Sequence, residues 1–249
     1  MLTKNFQRLA TEVQRHVEAD LVVQGSYATC FIGCLARGLN APEFLEREYG
    51  IPLAVSRIAE SIFEGLPPDE APLFFAAFPR AVESDGKDLS RVSWEFLAEE
   101  LRLLPPVTPE IQAVINRVVD GLDLLAQGKV LSEEDAKAAA KAVDAWLAES
   151  FAELAARAVA DAARAAELAA KAANWDYLAA ESFAELAVNA AELAARAVAE
   201  AANSAAMATD ELAARARAAA ISFDARPHQR DLLLKLIKEA PVTQQETNV

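Results

Sequence analysis

The amino-acid sequence predicts an all-α protein, in which an N-terminal bundle of short helices is followed by long alanine-rich helices packed as a bundle or stack. Three observations predict this. Apolar residues recur at three- and four-residue spacing, as on one face of a helix. Residues 129–226 are 98 residues without Gly or Pro, which is typical of long helices. Strand signals, such as Asn-Gly hairpins or sustained two-residue alternation, are almost absent.

Short helices bounded by Gly and Pro are predicted along residues 1–130, which we interpret as the N-terminal domain. The first helix has an apolar stripe at residues 6, 9, 13 and 17. Pro42 begins a short helix that Gly50 ends, and the next helix is closed by Gly65 and the Pro67–Pro68 pair.

Two further helices complete this domain. Asp85–Asp88 resembles a cluster of loop ligands, but Asp and Gly are also what a turn before a helix requires, and we favour the turn. The helix that follows is halted by the Pro105–Pro106 pair. Thr108 and Pro109 then form a cap and a first-turn proline, and Gly128 ends the last helix.

Residues 131–241 are predicted to be an alanine-rich region of long helices, and residues 242–249 a polar tail. Ala supplies 41 of the 85 residues from 136 to 220. Helices are predicted near 133–173, 177–202, 209–223 and 228–239. The segment AESFAELA occurs at 148–155 and again at 180–187, but a second echo has a different offset, so local duplication explains it better than a solenoid.

A row of glutamates is predicted at one angular position of these long helices: Glu153, Glu167, Glu185 and Glu192. Arg and Lys side chains follow at pairing distance, which indicates a solvated face. A carboxylate metal centre in a helical bundle would need a Glu-x-x-His partner. Neither histidine, His16 or His228, lies in such a motif.

The net charge of −14 is divided evenly along the chain. Binding to nucleic-acid phosphates is therefore not expected. Two cysteines do not make a secreted disulfide framework, and residues 1–18 do not have the pattern of a signal peptide. The longest uncharged stretch, residues 21–36, is too short and too polar to span a bilayer. We therefore expect a cytoplasmic protein without a membrane segment.

The candidate site is the segment around Cys30 and Cys34, whose four-residue spacing places both thiols on one helix face. They would share a metal or be oxidised together, or they are buried as small apolar residues. The spacing is neither that of redox helices nor that of zinc sites, which also need further ligands.

Four aromatic residues form the walls of a hypothetical ligand pocket beside this segment: Tyr27, Phe74, Phe75 and Phe78. No catalytic residue is predicted, since no nucleophile accompanies the histidines. Motifs for phosphates, dinucleotides and HExxH zinc sites are absent from the sequence, and no cofactor is predicted.

Several segments resemble a family of alanine-rich bacterial and phage-borne proteins labelled immunity proteins: Cys30–Gly38, Tyr49–Pro67, Asp85–Val92, Phe96–Pro105, Glu110–Ile115 and His228–Pro241. The resemblance implies neutralisation of a toxin by a non-enzymatic protein. In the family a histidine often follows the second cysteine, which gives a Cys, Cys, His cluster. Arg37 occupies that place here, so it joins the candidate ligand residues but weakens a metal interpretation.

Three functions are therefore expected in turn. The first is a non-enzymatic helical protein of immunity or phage counter-defence type that blocks or sequesters a protein partner. The second is a small-molecule or metal binder that uses Cys30 and Cys34. The third is a structural protein whose alanine-rich helices associate into homo-oligomers.

Overall fold

The computed structural model describes residues 1–26, 28–39, 41–103, 109–129 and 225–243. These residues form eight helices and no strand, so the predicted all-α class is confirmed. The helices are α1 (Phe6–Glu18), α2 (Phe31–Leu35), α3 (Pro42–Tyr49), α4 (Leu53–Gly65), α5 (Ala71–Val82), α6 (Val92–Arg102), α7 (Pro109–Ala126) and α8 (Ala225–Glu239). None of these described helices is long and apolar enough to cross a lipid bilayer.

The helix boundaries follow the punctuation by Pro and Gly. Pro42 and Pro109 are the first residues of α3 and α7, where the missing N–H has no partner to lose. Gly50 ends α3 in the left-handed conformation, with φ 67°. Pro79 is different: it lies inside α5, which continues to Val82.

The structure divides into two compact units. Unit 1 contains Met1–Ser93 together with Gln229–Val249, and unit 2 contains Trp94–His228. The sequence places the domain boundary near residue 130 instead, and groups the last helix with the alanine-rich region. Residues 130–224 lie outside the described residues, so the predicted boundary and long helices stay predictions, as does the row of glutamates.

Unit 1 is built around α1 and α4. Helix α1 packs against α5 and α2, and α4 packs against α2, α3 and α5. The largest fully buried side chains in this unit are aromatic or branched: Phe31, Tyr49, Phe63, Phe74, Phe75, Phe78, Leu9, Ile32, Leu35, Leu45 and Ile51. In unit 2, Arg102 of α6 forms ion pairs with Glu99 and with Asp123 of α7.

The predicted turn at Asp85–Asp88 holds both ends of the chain in unit 1. Thr3 N donates to Lys87 O at 2.8 Å, and Gly86 N donates to Thr3 O at 2.8 Å. On the other side, Asp88 N donates to Pro241 O at 2.8 Å and Thr243 N donates to Gly86 O at 2.8 Å. The turn therefore joins the N-terminal segment to the segment after α8.

Replacing Gly50 by Ala is expected to lower the free energy of unfolding by about 3 kcal/mol. A Cβ at this position would lie 2.0 Å from Leu2 O, and the left-handed backbone adds further strain. Gly25→Ala is the matched control: its φ is +70°, but no heavy atom lies within 4 Å of the added Cβ. It should cost only about 1 kcal/mol. Urea unfolding measures both, and equal losses would contradict the prediction.

Candidate functional site

The segment with both cysteines is a short helix between left-handed turns. Gly25 precedes it with φ 70°, and Arg37 and Gly38 follow α2 with φ 59° and 81°. Cys30 is the N-cap of α2, because its Sγ accepts a hydrogen bond from Gly33 N at 3.3 Å. Cys30 therefore lies at the start of the helix.

Both thiols are free and buried. Burial is the main cause that raises the pKa of Cys30 to about 12, and its hydrogen bond to Glu60 raises it further. Burial likewise raises the pKa of Cys34 to about 11. Cys34 Sγ donates to Thr29 O at 3.3 Å. Since the thiolate is the reactive form, neither residue is an activated nucleophile near neutral pH.

Two carboxylates of α4 hold this segment, and the sequence did not reveal their role. Ile32 N donates to Glu60 Oε2 at 2.7 Å, and Gly25 N donates to Glu64 Oε2 at 2.7 Å. Burial raises the pKa of Glu60, while hydrogen bonds from Cys30 and Ile32 act in the opposite direction. The signal available in the sequence is the four-residue spacing of 56, 60 and 64, which places three polar residues on one face of α4.

Cys30, Glu60 and Glu64 converge on one point. Cys30 Sγ and one carboxylate oxygen from each glutamate all lie within 4.8 Å of one another. Among the described residues, this is the group of His, Cys, Asp and Glu side chains that is close enough to hold a metal ion. The structure thus groups Cys30 with two carboxylates and places Cys34 outside the group.

Arg37, the third candidate ligand residue, is exposed. Its guanidinium carbon lies 5.6 Å from the centre of the Phe44 ring, and that of Arg47 lies 5.4 Å from the same ring. Cation–π contacts at exposed sites contribute about 0.5–1 kcal/mol. The contact gives Arg37 a place in the structure that requires no ligand.

The predicted pocket walls at Phe74, Phe75 and Phe78 lie in the hydrophobic core, each at most 1% exposed. They surround Phe31, whose ring centre is 5.6, 5.4 and 5.0 Å from theirs respectively. These ring–ring distances are those of a packed aromatic core. Tyr27 lies outside the described residues, and the role of all four as pocket walls stays a prediction.

A second candidate site is formed by residues 17–26 and 64–73, which we name the acidic end. Gln24 Nε2 donates to Phe63 O at 2.6 Å and to Leu66 O at 2.8 Å, so the loop after α1 lies at the end of α4. Helix α5 begins only a few residues later, at Ala71. The two stretches therefore meet at one end of unit 1.

The acidic end combines exposed apolar side chains with negative charge. Val17, Leu21, Val23 and Leu73 are 39%, 42%, 51% and 68% exposed. The two stretches contain five acidic residues and no Lys or Arg: Glu18, Asp20, Glu64, Asp69 and Glu70. Arg230 of α8 pairs with Glu70. Four acidic residues thus remain around four exposed apolar side chains.

Comparison of the chain with protein-family models, with curated proteins and with solved structures gives no significant match.

Proposed function

We propose that this is a non-enzymatic helical interaction protein, of immunity or phage counter-defence type, which blocks or sequesters a protein partner through the acidic end of unit 1. The observation that carries the proposal is the coincidence of four exposed apolar side chains with an uninterrupted group of acids. Apolar side chains supply the area that holds a partner, and the surrounding charge selects which partner approaches.

The charge pattern defines the chemistry of the partner. An acidic rim attracts a surface rich in Lys and Arg and disfavours an acidic one. The exposed side chains of Val23 and Leu73 require an apolar anchor within that basic surface. The partner is therefore a basic protein with a small apolar centre, and its association should slow as salt screens the charges.

The resemblance to immunity proteins supports the same conclusion. The segments Tyr49–Pro67 and His228–Pro241 carry part of that resemblance, and they contain Glu64 and Arg230 of this region. An immunity-type function requires a surface that binds and no chemistry on the bound partner. The acidic end has these properties.

Photocrosslinking from two matched positions tests the proposal. Val23 and Val242 are the same residue type and are 51% and 57% exposed. Val242 pairs with Lys87 beyond the end of α5, whereas Val23 lies near its start. A photoreactive amino acid at 23 should crosslink to one basic protein in the native host, and the same group at 242 should not. Equal crosslinking from both positions would contradict the proposal, and crosslinking to a second copy of the chain would favour self-assembly.

The substitution Val23→Arg is expected to weaken binding of the crosslinked partner at least about tenfold, because it places a cation in the apolar centre of the interface. Val242→Arg adds the same charge at the other end of the unit and should leave the dissociation constant unchanged. Isothermal titration calorimetry at two salt concentrations measures both variants. Equal weakening by the two substitutions would show that net charge, and not the acidic end, governs binding.

A further inference from the structure

The cluster of Cys30, Glu60 and Glu64 has the donor set of a transition-metal site. A thiolate combined with carboxylates suits Zn²⁺ and related ions, whereas Ca²⁺ and Mg²⁺ take oxygen ligands alone. Three protein ligands leave the fourth position of a tetrahedral ion open. The cluster joins two parts of the chain, since Cys30 precedes α2 and both glutamates belong to α4.

The distances require only a small contraction. Ligands bound to one zinc ion at about 2.0 and 2.3 Å lie roughly 3.5 Å apart in tetrahedral geometry. The three donor atoms here already lie within 4.8 Å of one another. Glu64 is exposed and carries a flexible side chain, so its carboxylate can close the remaining gap.

The surroundings of the donors already orient them. Each glutamate accepts a backbone N–H through Oε2, from Ile32 or from Gly25, and each retains a second oxygen. Gly33 N donates to Cys30 Sγ. Hydrogen bonds of this kind fix the ligands in protein metal sites and adjust their basicity.

Ser56 supplies an independent observation on the same helix face. Its residue is fully buried, and its hydroxyl has no hydrogen-bond partner. It precedes Glu60 by four residues, so the two side chains are neighbours on α4. A buried hydroxyl without a partner is costly, and a water on a metal ion beside Glu60 would satisfy it.

We infer that Cys30, Glu60 and Glu64 bind one divalent transition-metal ion of the zinc class, with the fourth position open to water or to a partner's side chain. This site differs from the predicted pair of cysteines, because Cys34 is not a ligand. It is independent of docking at the acidic end, although Glu64 lies at the border of both.

Metal binding must release a proton. The Cys30 thiol gives its proton to solvent as its sulfur forms the bond to the metal, and the ion's charge is retained apart from that of the thiolate. Because the pKa of Cys30 is about 12 in the metal-free protein, the apparent affinity should rise about tenfold for each unit of pH near neutrality. Glu60 and Glu64 are the charged groups that act on Cys30, and Arg57 acts on Glu60. The raised pKa of Glu60 changes the affinity in the same direction.

Cobalt titration of the full chain, freed of metal by a chelator, tests the site. The wild-type protein should bind one equivalent of Co²⁺ with a near-ultraviolet sulfur-to-cobalt charge-transfer band, and Zn²⁺ should displace it. Cys30→Ser should abolish the band, and Glu60→Gln and Glu64→Gln should each weaken binding more than about tenfold. Cys34→Ser is the matched control and should keep the band and the affinity.

The variants separate ligand loss from unfolding. Glu64 is exposed, so Glu64→Gln should retain the wild-type circular dichroism and melting temperature while losing affinity. Val23→Arg should bind cobalt like wild type, so the metal site and the docking surface fail or succeed separately. Absence of the band in the wild-type protein, or its loss in Cys34→Ser with retention in Cys30→Ser, would overturn the proposal.

Discussion

Replacing Lys87 by Met is expected to lower the free energy of unfolding of unit 1 by about 3–5 kcal/mol. Lys87 is 2% exposed, and its ammonium group is surrounded by oxygens. Nζ donates to Ala81 O at 3.0 Å near the end of α5, and to Ile237 O and Lys238 O at 3.2 and 2.7 Å near the end of α8. It also pairs with Glu83 at 3.1 Å.

The size of this effect follows from what the substitution leaves behind. Met fills a similar volume, but the carbonyl groups at two helix ends lose their donor and remain in place. Carbonyl groups at a helix C-terminus carry partial negative charge, which the ammonium group neutralises for both helices. Removing one partner of such a buried arrangement costs more than the arrangement itself contributes.

Urea unfolding followed by circular dichroism measures the loss, with Lys4→Met as the control. Lys4 lies on the same bundle but is exposed, so its side chain should contribute little. Hydrogen exchange gives a second readout: the amides of Thr3, Asp88 and Thr243, which close the turn, should exchange faster in Lys87→Met. A loss below about 1 kcal/mol would show that water satisfies these carbonyls equally well.

The helix boundaries could be predicted from the sequence because they depend on local chemistry. A proline without an N–H begins α3 and α7, and Gly50 adopts the left-handed backbone that ends α3. These effects act over a few residues and are visible in the chain itself. Pro79 shows the limit of the rule, because α5 passes through it within a tightly packed aromatic core.

The roles of Lys87 and Glu60 could not be predicted, because each depends on residues distant in the chain. Lys87 follows Gly86 in a turn and resembles a solvated lysine, yet its partners lie about 150 residues further on, in α8. Glu60 lies on a helix face that would be solvent-exposed in isolation. It becomes partly buried because the segment before α2 folds over it and donates Ile32 N.

The cysteines show the same limit at shorter range. Four-residue spacing predicts two thiols on one helix face, but a helix that begins at Phe31 makes Cys30 a cap. Its Sγ therefore faces different neighbours from that of Cys34, whose thiol donates to Thr29 O. The spacing identified the right segment, while the tertiary structure selects which thiol approaches the carboxylates.

Replacing Phe31 by Ala is expected to cost about 4 kcal/mol of unfolding free energy. The ring is fully buried and contacts four others, those of Phe63, Phe74, Phe75 and Phe78, at centre distances of 5.0–6.1 Å. Its removal leaves a cavity that the rigid neighbouring rings cannot fill. Phe44→Ala, at a partly exposed ring beside Tyr49, should cost much less. Thermal unfolding of both variants measures the difference, and equal costs would contradict it.

The same substitution connects the core to the candidate metal site. Phe31 is the residue between Cys30 and Ile32, so its ring fixes the backbone that presents Sγ and the N–H group to Glu60. Phe31→Ala should therefore weaken cobalt binding even below its melting temperature. Phe78→Leu also removes a core ring but lies on α5, away from the metal ligands, and serves as a control for stability alone. If both variants lose affinity in proportion to their lost stability, Phe31 acts through the fold, whereas a selective loss in Phe31→Ala means that it positions Cys30.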